Sequence, residues 1–140
     1  MEKVLLDTDV ILDFFFDRKP FADHAAGVLH LCKENKIEGH TTPVIISNVY
    51  YLLRKVAKHE AVVDKLNQLL SFIDIVSMNR TVVINALNSE FKDFEDALQH
   101  FSATETNNIN VILTRNIKDF KKSNLAVLTP ETYLKGKTRG

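Results

Sequence analysis

Short apolar runs that stop at polar turns alternate along this chain with longer stretches of helical periodicity, and that alternation restricts the fold more than any other feature. Val4-Leu5-Leu6, Val111-Ile112-Leu113 and Ala126-Val127-Leu128 are too short for buried helices and lack the polar alternation of a half-solvated strand. The first two read as central strands and the third as the last strand of the sheet. Residues 37–41 and 73–76 are further strand candidates. Helical spacing marks residues 8–16 (Val10, Ile11, Phe14, Phe15), 21–35 (Ala25, Val28, Leu29, Cys32), 42–55, 60–72 (Val63, Leu66, Leu70), 80–87 and 94–106 (Ala97, Leu98, Phe101, Ala103). Pro43 falls in a first turn, where its missing N–H is harmless, and Thr129-Pro130-Glu131 opens a last short helix. Strands alternating with helices in this way build a three-layer α/β/α sandwich around a central, mostly parallel sheet.

The chain of 140 residues is long enough for one domain with a real core, and 45% hydrophobic with 26% charged residues excludes wholesale disorder. Residues 1–134 are expected to form that single domain. Residues 135–140 form a basic tail that is expected to fray. Net charge is zero, so a nucleic-acid partner must be met by a local basic footprint; Arg54, Arg115 and Lys118 are the candidates. Cys32 is the single cysteine, which excludes an internal disulfide and a cysteine-rich zinc site. The four glycines, Gly27, Gly39, Gly136 and Gly140, form no phosphate-cradling loop, which argues against P-loop and dinucleotide sites. No apolar segment is of membrane-spanning length, and the N-terminus carries no signal-peptide pattern, so the expectation is a cytoplasmic protein with no membrane association.

The acids carry the chemistry. Asp7 follows the first strand at once, and in open α/β sheets the ligand crevice lies outside the carboxyl ends of the strands. Asp93-Phe94-Glu95-Asp96 opens a late helix, where the helix dipole favours acids. Asp119 follows the strand at 111–113 and a turn. Singly, each has a plain reading as an N-cap, a first-turn acid or a turn residue. Together they suit a hard cation, Mg²⁺ or Mn²⁺, which takes oxygen ligands. Such a cation lowers the pKa of a bound water and neutralises charge on a phosphoryl oxygen. The five histidines show no zinc-helix spacing, and His100, one turn after Asp96, reads as structural.

Three stretches together resemble the PIN domain, the metal-dependent ribonuclease fold of VapC-type toxins. They are Leu6-Asp7-Thr8-Asp9-Val10-Ile11-Leu12-Asp13, then Asp93-Phe94-Glu95-Asp96-Ala97-Leu98-Gln99 with Ala103, and Ile112-Leu113-Thr114-Arg115-Asn116 with Lys118-Asp119-Phe120. The resemblance spans essentially the whole chain. It implies that Asp7, Asp96 and Asp119 bind the metal and act in catalysis, with Thr114 as the strand-end hydroxyl and Asn116 where many members have Asp. It also implies a Glu in the third helix, within the stretch matching Ser47-Asn48-Val49-Tyr50. This chain has Asn48 there and no acid between Glu38 and Glu60. Asp93, one turn before Asp96, is the expected compensating acid, ahead of Glu95, which points off Asp96's face. The implied activity is an Mg²⁺- or Mn²⁺-dependent endoribonuclease, with RNA as substrate, a homodimer as assembly and a small antitoxin protein as partner. The alternative is a degenerate PIN domain that binds RNA or a protein without cutting. A response-regulator-like phosphoacceptor needs a mid-chain strand-end acid and a late strand-end lysine, and neither is cleanly present.

Overall fold

The computed structural model describes residues 1–105 and 108–139. Along the chain they form β1 (Lys3–Leu6), α1 (Thr8–Phe15), α2 (Phe21–Lys33), β2 (Glu38–Thr41), α3 (Pro43–Arg54), α4 (His59–Leu70) and β3 (Ile73–Ile75). Then come α5 (Arg80–Leu87), α6 (Phe94–Glu105), β4 (Val111–Leu113), a 3₁₀ turn (Ile117–Phe120), β5 (Ala126–Leu128) and α7 (Pro130–Arg139). The five strands form one parallel sheet in the order β3-β2-β1-β4-β5. The expected α/β/α sandwich is what the chain adopts.

Alternation along the strands divides the core in two. Val4, Leu6, Val111 and Leu113 face α1 to α4 and Tyr133 of α7. Leu5 and Ile112 face the other way, toward Ala103 of α6 and Phe120. Helix α5 packs outside α6 through Val82, Ala86, Ala97 and Leu98. Both faces of β1 and β4 are therefore covered, which is why their sequences are continuous apolar runs.

The strand order fixes where a site can form. From β1 the chain moves outward to β2 and β3, then returns to lay β4 on the other side of β1. The crevice of a parallel sheet opens at such a reversal, beyond the strands' carboxyl ends. In register, Leu6 pairs with Leu113, so Asp7 and Thr114 leave the sheet side by side. Asp7 N–H still donates to Leu113 O, and Thr114 N–H to Leu128 O, each at 3.0 Å.

Several boundaries and faces differ from expectation. Helix α2 ends at Lys33 because Asn35 takes a left-handed conformation (φ 59°) and Lys36 N–H closes back on Leu31 O at 2.9 Å. Helix α1 buries Leu12 and Asp13 and leaves Phe14 at the surface. Helix α4 turns Val62 and Leu69 inward with Leu66, rather than Val63 and Leu70. Residues up to Arg139, expected as a frayed tail from Lys135, continue α7. Of the expected stop of α6, Thr106 and Asn107 lie outside the described residues, as does Gly140 at the end of the tail.

Candidate active site

Asp7 is the fixed point of the site. It caps α1, with Thr8 N–H donating to Oδ1 at 2.7 Å. Gln99 Nε2 of α6 donates to the same oxygen at 2.8 Å, and the Thr114 hydroxyl donates to Oδ2 at 2.8 Å. Asp7, Gln99 and Thr114 are all buried, so the carboxylate is held from three directions by groups with little freedom to leave it.

Around it opens a cleft of about 850 Å³, lined among others by Asp7, Asp9, Asn48, Asp93, Glu95, Asp96, Asn116 and Asp119. Four segments far apart in sequence meet there: the β1–α1 junction, α3, the start of α6 and the turn after β4. Asp93 Oδ2 accepts from Asp96 N–H at 3.0 Å, a capping bond at the start of α6. Glu95 Oε1 accepts from Asn48 Nδ2 at 2.7 Å and ties α6 to α3 across the cleft. Asp9 Oδ2 accepts from Arg115 N–H at 2.9 Å and from Asn116 Nδ2 at 3.3 Å.

So many carboxylates in one half-buried space cannot all be comfortably charged. Burial first, then the charges of Asp93, Asp7, Asp119 and Glu95, push the Asp96 carboxyl up to about 7. Burial and Asp7 push Asp9 up to about 6, although Arg115 pulls it back. Glu95 is raised by burial and by Asp7, with the Asn48 amide working against the rise. Among the described residues no three His, Cys, Asp or Glu side chains stand close enough to hold one ion as they are. The donor set nonetheless fits a hard divalent cation. It is all oxygen and strongly negative, and Gln99 Oε1 behind Asp7 is a buried acceptor without a partner.

Comparison with known proteins settles the lineage. Residues 3–118 match the family described as PIN domain. Ribonuclease VapC1 of Aquifex aeolicus is 30% identical over 137 residues, covering 94% of this chain and 93% of its own. The chain belongs to the PIN domain family. Two solved structures share the fold at low identity. The crystal structure of VapBC2 from Rickettsia felis, bound to a DNA fragment from their promoter, aligns at a TM-score of 0.66 with 19% identity, covering 90% of this chain and 96% of that one. A toxin-antitoxin complex from Klebsiella pneumoniae aligns at 0.68 with 21% identity, covering 91% and 97%.

Within this PIN domain the residues expected from sequence are placed as follows. Asp7, Asn48, Asp93, Asp96, Asn116 and Asp119 line the one cleft, and Thr114 lies beneath it on Asp7. Glu95, rather than the expected Asp93, is the acid that reaches Asn48 across the cleft. Asp9 and Gln99 lie within the family-like stretches but outside the expected set of site residues. The two-residue spacing from Asp7 and the one-turn spacing from Glu95 are the signals that could have found them. The basic candidates separate. Lys118 lies with Asp93, Asp96 and Asp119 in an adjoining depression. Arg54 bonds Ala57 O at 2.9 Å beyond the end of α3, and its neighbour Lys55 lines the cleft instead, with Arg18. Arg115 is committed elsewhere: Nε and Nη2 donate to buried Asp13 at 2.6 and 3.0 Å, and its guanidinium lies 4.0 Å from the Phe21 ring centre. His100 is buried, bonded to Ser123 at 2.7 Å and packed on Phe91, a structural role.

Proposed function

We propose that this PIN domain is a VapC-type ribonuclease that hydrolyses RNA phosphodiesters with the help of a divalent cation, Mg²⁺ or Mn²⁺. The observation that carries the reading is the meeting of Asp7, Asp96 and Asp119 in one cleft at the β1/β4 reversal. The 30% identity to a ribonuclease over nearly the full length of both chains supports it. These three acids would hold the cation, with Asn48 and Asn116 as neutral oxygen donors. Bound there, it would make a water nucleophilic at neutral pH and offset charge on the phosphodiester.

The chain's own groups prepare that chemistry. Thr114 and Gln99 aim the Asp7 carboxylate, and buried Thr114 also receives Asn116 N–H at 3.0 Å, which fixes the turn carrying Asn116 and Asp119. Lys55, Arg18 and Lys118, at the cleft and its edge, are placed to receive RNA phosphates despite the zero net charge. A small antitoxin is the proposed protein partner, since related folds were solved as VapBC and toxin-antitoxin complexes. A homodimer is the proposed assembly.

Asn48 favours a second reading, a domain that binds RNA without cutting, because an amide brings no charge to the cleft. Comparing RNA cleavage by wild type, Asp7→Asn and Asp119→Asn in Mn²⁺ separates the two. Cleavage by wild type, lost in both folded variants, is the expected result. Cleavage undiminished in Asp7→Asn would contradict the assignment. RNA binding without cleavage by wild type would favour the second reading.

A further inference from the structure

We propose that Glu95 is a ligand residue of the cleft, supplying from α6 the carboxylate that α3 lacks, and that Asn48 is its positioning residue. This rests on the cleft being a cation site.

From α3 the residues Asn48, Tyr51 and Leu52 face the cleft, with Lys55 just past its end, so α3 contributes no negative charge to it. Opposite, Glu95 and Gln99 stand one turn apart on α6 and so share a stripe. Gln99 reaches Asp7 at 2.8 Å, which shows that this stripe is turned toward the end of β1. Glu95 is on the same side one turn nearer the helix start, half-buried, and close enough to Asp7 for the two charges to oppose each other. Asn48 Nδ2 holds Oε1 at 2.7 Å. That bond commits one of several acceptor positions on the carboxylate and fixes the side chain's direction, leaving capacity to bind an ion. Asp93, by contrast, is exposed and spends Oδ2 on the backbone of Asp96.

A plain alternative makes Glu95 only an interhelical tie. Glu95→Gln separates the two, since it keeps the length and an acceptor oxygen for Asn48 and removes the charge. The measurement is titration calorimetry of the full chain with Mn²⁺ alone, beside thermal melting of the metal-free protein. Glu95→Gln should weaken Mn²⁺ binding roughly tenfold or more, since affinity for hard cations follows the count of charged ligands, with the melting point little changed. Returning the acid to α3, in the double variant Asn48→Glu with Glu95→Gln, should recover part of the loss. No recovery would overturn the pairing of the two positions. Wild-type affinity in Glu95→Gln would overturn the proposal, and if Asp7→Asn still loses Mn²⁺ the cation reading of the cleft stands without it. A wild-type protein that takes up no Mn²⁺ overturns both. Should Glu95→Gln fold poorly, Glu95→Asp, which keeps the charge on a shorter side chain, must bind Mn²⁺ more tightly than Glu95→Ala.

Discussion

Arg115 illustrates how a residue's partners in the fold are hidden from its neighbours in sequence. Beside Asn116 and Lys118 it looks like a phosphate-binding cation. In the fold it neutralises Asp13, which is only 1% exposed on the inner side of α1, through two hydrogen bonds. Its backbone N–H meanwhile holds Asp9. The two partners are separated by 102 positions, and no local pattern couples them. The pair anchors the turn that carries Asn116 and Asp119 onto the last turn of α1. Removing the arginine leaves a buried carboxylate with Arg18, 3.4 Å away, as its remaining cation among the described residues. Arg115→Ala should therefore destabilise the protein by about 2–4 kcal/mol in urea unfolding, toward the lower end because Arg18 compensates in part. Asp13→Leu should cost less, since the freed guanidinium can reach water. The reverse order would show that the pair does not hold the turn.

At the scale of elements, most of the fold was legible because each apolar run had one tenable reading. A short, wholly buried run such as that of β4 can only be a strand between covered faces, and β5, whose residues are exposed or half-buried at the sheet edge, still falls where its sequence places it. Helix phase was less legible. In α4, Val62, Val63, Leu66, Leu69 and Leu70 form one broad apolar stripe, and which edge of it is deepest depends on how α3 and β3 pack against it. The same limit governs the site. The sequence reveals that Glu95 and Asp96 diverge by one helical step, but the placement of α3 across the cleft decides which of them meets Asn48. One packing constraint is sharp enough to predict. A Cβ at Gly39 in β2 would stand 2.4 Å from Ile73 Cδ1 and 2.6 Å from Cys32 Sγ. Both neighbours are core residues at 2% exposure. Gly39→Ala should lower stability by about 1–3 kcal/mol, read as a shifted urea midpoint at an unchanged slope. A neutral Gly39→Ala would mean that α2 and β3 part more easily than their packing implies.

For the whole molecule, a net charge of zero conceals a separation of charge, with acids gathered in the cleft and lysines and an arginine at its edge. That separation has a cost that pH should reveal. Asp96 keeps its proton up to about 7 in the folded protein and loses it near 4 when unfolded. Between those values the native state binds more protons, so stability falls as pH rises. Asp9, raised to about 6, acts in the same sense over a narrower range. His100, lowered by burial, acts oppositely below its ordinary value of 6.5. The clean window is therefore from pH 6.5 to about 8, where the metal-free melting point should decline and Asp96→Asn should flatten the decline. An equal slope in Asp96→Asn would place the titrating group elsewhere. The central claim is that the cleft uses a cation to cut RNA, and it is tested most directly by the rate of RNA cleavage as a function of Mn²⁺ concentration. The account predicts a saturable rise that a chelator abolishes and Mn²⁺ restores; cleavage indifferent to the chelator, or no cleavage in saturating Mn²⁺, would contradict it.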